Sequence, residues 1–569
     1  MSSGKHDSVI ATIGDGQLGG KAAGLDLIRR QILTELGTDE FPAFSVDVPR
    51  MLVLTTQLFD HFLQRNQIEP SSLEDLPDDR IAHRFQEADL PAEYVGELLA
   101  LVERHHTPLA VRSSSLLEDS LHHPFAGVYG TKMIPNNQSD VAARFHRLID
   151  AVKYVYASTY FRQAQSYLRS IQQGLDRERM AVIIQEVVGR RGDERFYPHL
   201  SGVARSYNYY PTGAATPEDG VVNLALGLGK QIVDGGLAWT YSPPYPAAPA
   251  PFAGVGDLLK NTQTQFWAVH LGPPPLPDPM RETEYLIQGD LSQAEWDGSL
   301  DQLVSTYDSG SDRLRPGLIG SGPRVLDFAP LLQHATVPLN DLLRRLLEIS
   351  ERVLKSPVEI EFAVTLPTAR EERARFGFLQ VRPMMVSRQE VDVPAEDLAD
   401  KDILLASEHV LGNGLRTDIQ DVVYVKPRAF EARHTPRIAQ DLERINLDLL
   451  KADRPCLLIG FGRWGSSDPW LGVPVEWGQI SAARVIVEAT LPGMNPDLSQ
   501  GSHFFHNLIG LRVLYLSLRY QGPHAIDWDW LDEQEAASET EFVRHVRLAA
   551  PLAIRVDGRH GRGVIKRHV

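Results

Sequence analysis

Apolar positions recur along the chain in two rhythms, and each rhythm predicts an element. SVIATI (8–13) reads as a short strand. KAAGLDLIRRQILTEL (21–36) reads as a helix, because Leu25, Ile28, Ile32 and Leu33 fall near helical spacing. FSVDVPRMLVLTT is extended and broken at Pro49, and TTQLFDHFLQRN is a helix opened by a threonine. The aliphatic runs MAVIIQEVV (180–188) and GVVNLALGLG (220–229) predict buried strands. VEIEFAV (358–364) and FGFLQVRPM (376–384) predict a strand pair around a charged loop. AVRSSSLLEDSLHHPFAGVYGTK (110–132) reads as a polar loop, EFVRHVRL (541–548) as an amphipathic helix, and IDWDWLDE (526–533) as the start of an element with buried tryptophans.

Two stretches punctuate this pattern. The proline-rich segment at about 243–280 predicts an irregular crossing. SRQEVDVPAEDLADK is polar and acidic, which makes residues 391–401 the predicted linker between a unit at 1–390 and a second at 402–569. No internal repeat is visible.

Composition narrows the picture. At roughly 150 residues per domain, 569 residues predict three or four domains. A content of 43% hydrophobic and 23% charged residues is that of an ordinary globular chain. The net charge of −17 argues against nucleic acid as the main partner. The single cysteine, Cys456, forbids an intramolecular disulfide and lies in an apolar run, where a small core residue is expected. No apolar run reaches ~18 residues and the start carries no leader pattern, so the expectation is no membrane and a cytoplasmic location.

Candidate chemistry begins at IGDGQLGGKAAGLDLI. Gly14, Gly16 and Gly19 fit G-x-G-x-x-G, followed by Lys21. A dinucleotide fingerprint needs an acid ending the next strand, whereas Asp39 and Glu40 precede it. A phosphate loop of the G-x-x-x-x-G-K-[ST] kind would need glycine at Asp15 and Ser or Thr at Ala22.

The later motifs VPRMLVLTT, AVRSSSLLEDSLHHPFAGVYGT, AVIIQEVV, SGVA, NLALGLGKQIVDGG, EIEFAV and FGFLQVRPM follow in order. Together they make residues 10–390 resemble the nucleotide-binding domain of the pyruvate phosphate dikinase and phosphoenolpyruvate synthase family. The resemblance implies an α/β chain with an ATP-grasp nucleotide-binding domain and a separate C-terminal α/β domain. It also implies ATP and Mg²⁺ as ligands. Lys21, beside Gly20, matches the family's phosphate-contacting lysine. Arg112 matches its phosphate-clamping arginine, with Ser113 as a donor beside it. Glu361 and Gln380 match its metal-facing pair, and Arg382 ends the same strand and would help hold the polyphosphate. Gln185 and Glu186 match the strand lining the adenine pocket. The family usually has an acid after Gly-Leu-Gly; here Lys230 follows Gly229, which puts base selectivity in doubt because a lysine cannot accept hydrogen bonds.

The full dikinases add a swivelling phosphohistidine domain and a large barrel. A barrel of ~250 residues does not fit after the linker, so pyruvate is not inferred as substrate. SQGSHFFHNLIGL echoes the carrier motif loosely, which makes His503 a candidate phosphoryl carrier, with His506 nearby. In RPCLLIGFGRWGSSDPWLG, Arg463 sits among glycines and serines and is a candidate anion contact. The expected activity is ATP-dependent phosphoryl transfer to an unidentified acceptor, through a phosphohistidine or directly to a small molecule. A nucleotide sensor without turnover is the rival, and a homo-oligomer stays open.

Overall fold

In the computed structural model, the described residues are 10–567 except 38, 75, 119–126, 172, 210, 249–254, 260, 279, 368–372, 385, 387–390, 401, 467–469, 471, 493, 495–507 and 509–510. The candidate carrier histidines His503 and His506 lie outside them.

The aliphatic run MAVIIQEVV becomes the middle strand of a five-stranded sheet, ordered Ile10–Ile13, Met51–Leu54, Met180–Glu186, Leu109–Ser115, Thr131–Ile134. Strand alternation splits Leu109–Ser115 between two environments. Leu109 and Val111 join the helical core built on Phe59, Phe62, Phe85 and Tyr156. Ala110, Arg112 and Ser114 take the opposite parity. AVRSSS is therefore a strand where a loop was expected. Its pairing with Met180–Glu186 from Leu109↔Glu186 to Ser115↔Met180 overrides the weak strand preference of consecutive serines.

A second sheet has six strands, ordered Trp239–Tyr241, Val221–Ala225, Leu200–Arg205, Val358–Thr365, Ala374–Pro383, Phe44–Asp47. Its core-facing side meets helix Leu339–Leu354 through Leu342, Leu343, Leu346 and Ile349, one stripe at helical spacing. The N-terminal helix Gly19–Leu27, prolonged by Ile28–Ile32 and Leu33–Leu36, buries Ala22, Leu25, Ile28 and Ile32 in the same core. The proline-rich segment is more ordered than expected. It contains strand Gln265–His270, which pairs with Leu286–Asp290 and Arg195–Tyr197 in a four-stranded sheet.

Residues 403–566 supply all nine strands of the last sheet. Gly414–Val425, Cys456–Phe461, Ala483–Ala489 and Leu514–Leu518 run parallel at its centre. EFVRHVRL is not a helix. It lies in the strand Val543–Asp557, where Val546 and Leu548 are buried and Arg547 between them is exposed, a period of two. The terminal Gly-rich turn leads into a further strand, Arg562–Lys566. IDWDWLDE forms helix Trp528–Glu533, capped by Asp527, with both tryptophans half-buried. The segment expected as linker is docked: Val393 is buried, Arg555 donates to Asp397 Oδ2 at 2.6 Å, and Lys566 to Asp400 Oδ2 at 2.7 Å.

One apolar cluster spans both parts of the chain, from Phe62 and Tyr156 to Val423, Leu458 and Trp477. Helix Arg162–Ser170 approaches the turn Trp477–Gln479 so closely that a Cβ on Gly478 would stand 2.2 Å from that of Ser166.

Candidate functional site

The opening glycines serve the chain's own packing. Gly19 has φ +76°, and a Cβ there would lie 1.7 Å from the carbonyl oxygen of Ser114; at Gly20 it would lie 1.8 Å from that of Glu118. Only glycine lets the helix start settle on the Ser114–Glu118 segment. The Ser114 hydroxyl staples the two, donating to Leu18 O at 2.8 Å and accepting from the Ala22 N–H at 3.0 Å.

That docking delivers Lys21. Its Nζ donates to Glu118 Oε1 at 2.7 Å and to Ser113 Oγ at 3.1 Å. The buried Glu118 carboxylate also accepts from Ser113 Oγ at 3.0 Å and from the Ser115 N–H at 2.8 Å. Beneath it, burial pushes the Glu178 carboxyl up to about 7, with Ser115 and Tyr129 hydrogen bonds opposing the shift.

Arg112 does not pair with Glu118. It reaches from the first sheet to the second, its Nη1 donating to Gln185 Oε1 at 3.3 Å and to Leu379 O at 3.2 Å, its Nη2 to Gln380 Oε1 at 3.1 Å. Glu361 Oε2 stands 3.9 Å from the same Nη2. Register accounts for this convergence: Glu361 lies opposite Gln380, and Glu359 lies opposite Arg382. Four predicted residues thus meet: Arg112, Gln185, Glu361 and Gln380; Arg382 lies two register pairs along the same strand.

Arg382 is engaged differently from the expectation. Both Nε, at 2.8 Å, and Nη2 bind Glu359 Oε1, while Arg205 Nε donates to Glu359 Oε2 at 2.5 Å. Arg205 continues to Asn223 Oδ1 at 3.1 Å. The result is a buried Arg–Glu–Arg triad flanking the Glu361–Gln380 pair.

At the other end, Glu186 Oε1 lies 3.3 Å from His105 Nδ1. Lys230 is held by Asp234 at 2.9 Å and lies 5.9 Å from the Trp267 ring centroid. Gly229, just before it, has no close neighbour that excludes a Cβ. Between the sheets, Ala110, Val187, Leu228 and Val269 form a small apolar cluster with Met133 and Trp267 against it.

Several site residues were not anticipated. Lys132 is buried against Glu284 at 2.5 Å, and Glu282 lies in the combined field of Lys230, Lys21 and Lys132. Burial raises the Glu282 carboxyl above its ordinary value and the lysines oppose the rise. The signal for Lys132 was present: in TKMI it shares parity with Ile134 and therefore points inward.

In the C-terminal part, Arg463 Nη1 donates to Gly235 O at 3.2 Å, in the turn that follows Lys230–Val233. Trp464 is core, its indole N–H donating to Val487 O at 3.2 Å, whereas Trp470 is 73% exposed. Ser467 and Asp468 lie outside the described residues. Cys456 is buried, and burial pushes its thiol up to about 12. Thiol reagents are therefore expected to label it only upon unfolding; labelling within minutes in native buffer, read by mass spectrometry, would contradict this.

Among the described residues no helix is long and apolar enough to cross a membrane. Residues 15–251 match the family described as "Pyruvate phosphate dikinase, AMP/ATP-binding domain". Glu361, Gln380 and Arg382 lie beyond the matched span, but their strands share one sheet with Leu200–Arg205, which lies within it and pairs with the strand of Glu361. No curated protein matches the chain.

Proposed function

We propose, from the match of residues 15–251 to the pyruvate phosphate dikinase AMP/ATP-binding domain, that the chain is an ATP-dependent phosphotransferase. The observation that carries this reading is Arg112 spanning the two sheets onto Gln185 and Gln380, with Glu361 beside it. A planar guanidinium in that cleft suits two phosphate oxygens at once.

In this reading Lys21 and Ser113 hold the polyphosphate from the helix side and Arg112 from the sheet side, with the Gly20 backbone close by. Gln185, Glu186, Gly229 and Lys230 border the nucleoside end beside the apolar cluster. Arg382 acts through Glu359 and holds the strand that carries Gln380. Glu361 and Gln380 fit Mg²⁺: a carboxylate and an amide oxygen are hard donors, and the pair already faces the positive charge of Arg112. Mg²⁺ held there would neutralise charge on phosphate oxygens. Positioning and fixed cations, more than a protein base, would then stabilise the transferring phosphoryl group.

Two acceptors remain in the reading. With His503 as carrier, its imidazole attacks the β-phosphorus and forms a P–N bond as the α–β anhydride breaks and AMP leaves; water then cleaves the β–γ anhydride, releasing phosphate and leaving one phosphoryl group on His503. With direct γ-transfer, a small molecule takes the group and ADP leaves. The contact of Arg463 with the Gly235 turn favours one further reading, a sensor in which nucleotide and C-terminal part are coupled without turnover.

Phosphorus NMR with ATP and Mg²⁺, followed by intact mass in alkali, separates them. AMP and a phosphate-sized mass gain, lost in His503→Ala, are expected for the carrier route. ADP without a mass gain supports direct transfer, and tight ATP binding without turnover the sensor. No ATP binding at all would sink the proposal.

A further inference from the structure

We propose that Glu118 is a positioning residue of this site, whose buried carboxylate aims the Lys21 ammonium at the polyphosphate. The inference rests on the phosphotransferase reading for the task of Lys21, and on the geometry of the helix start for the rest.

A lysine is a point charge on a flexible four-carbon stem, so it must be aimed by something. Glu118 is suited to do so because it is itself immobile. Its carboxylate is bound by the Ser115 N–H, the Ser113 hydroxyl and Lys21 Nζ. Its main-chain carbonyl fills the space a Gly20 side chain would take, one residue before Lys21. Carboxylate and helix start are therefore fixed to each other from two sides.

A carboxylate near a phosphate-binding lysine would repel the ligand if the ligand could see it. Here the Lys21 side chain is 14% exposed and that of Glu118 1%. The lysine thus keeps some solvent-facing surface for an anion, while the carboxylate has almost none. Two further donors on Glu118 also share its charge, so Lys21 is not fully neutralised. The arrangement orients the lysine without competing for the phosphate.

The test compares the full-length wild type with Glu118→Gln, Glu118→Asp, Lys21→Met and the Glu118→Gln/Lys21→Met pair. Three quantities are read: ATP kinetics, direct ATP binding, and the rate at which an acetylating reagent modifies Lys21. Glu118→Gln is expected to lower kcat by about tenfold to a hundredfold with KM moving less than about threefold. Lys21 should be acetylated several times faster, and Glu118→Asp, which keeps the charge, should recover part of kcat. No further loss is expected on top of Lys21→Met.

Four results overturn the proposal: a fall in KM with kcat retained, which would make Glu118 a competitor of phosphate; an equal loss in the Lys21→Met background; unchanged acetylation of Lys21; or a kcat loss that only tracks a lower melting temperature. A wild type that binds no ATP overturns the nucleotide reading and this proposal together. Wild-type ATP binding with Lys21 unaffected by the Glu118 variants overturns the proposal alone.

Discussion

Replacing Arg112 by alanine is expected to lower kcat/KM for ATP by about 10²–10³, or roughly 2.7–4 kcal/mol of transition-state stabilisation. The size follows from how much converges on one side chain. Its two terminal nitrogens bond oxygens from two sheets, Gln185 on one and Leu379 and Gln380 on the other, with Glu361 at 3.9 Å. Arg112→Lys should recover little of the loss, because an ammonium cannot reproduce a fork that bridges separated acceptors. Steady-state kinetics alongside ATP titration checks both variants. A lysine variant with wild-type kcat/KM would mean that only net charge is required there, and an alanine variant with wild-type kcat/KM would remove Arg112 from the site.

The largest stability effect is expected at Glu359. It is buried between Arg205 and Arg382, and both guanidiniums have little exposed surface. Glu359→Gln leaves two buried positive charges with a neutral amide between them. Breaking a buried ion pair from one side costs about 3–5 kcal/mol, because the remaining charge stays desolvated. Urea titration followed by tryptophan fluorescence should show the unfolding midpoint of this part of the chain moving down accordingly. Removing all three charges together, as Arg205→Met/Glu359→Leu/Arg382→Met, should recover much of the loss. An unchanged midpoint in Glu359→Gln would mean that water or another group already shares these charges.

Much of the site was legible because motif order and strand parity act together. Glu361 and Gln380 were paired in expectation by resemblance, and the register puts them directly opposite. Arg112 and Gln185 fall within the same set, while Lys21 and Ser113 meet each other on Glu118. Partner identity was less legible. Glu118 belongs to Lys21, a pairing set by the glycine-dependent docking of two segments about a hundred positions apart. Arg382, placed on phosphate by the resemblance, also binds Glu359, and nothing local reveals that Arg205 completes a triad there.

The fold misreadings have a common physical source. AVRSSS and EFVRHVRL are weak in local preference, and pairing with neighbouring strands decided both. The acidic stretch before residue 402 looked unattached because its partners, Arg555 and Lys566, lie more than 150 residues further on.

The shared apolar cluster bears on how far a phosphoryl group could be ferried. A domain that swings between distant stations needs an interface that parts at little cost. Here Tyr156 and Phe62 belong to the same buried apolar continuum as Val423, Leu458 and Trp477, and Gly478 sits against Ser166 with no room for a methyl group. A long stroke by the C-terminal part would first have to wet that continuum. Parting the two sides would expose apolar side chains on both.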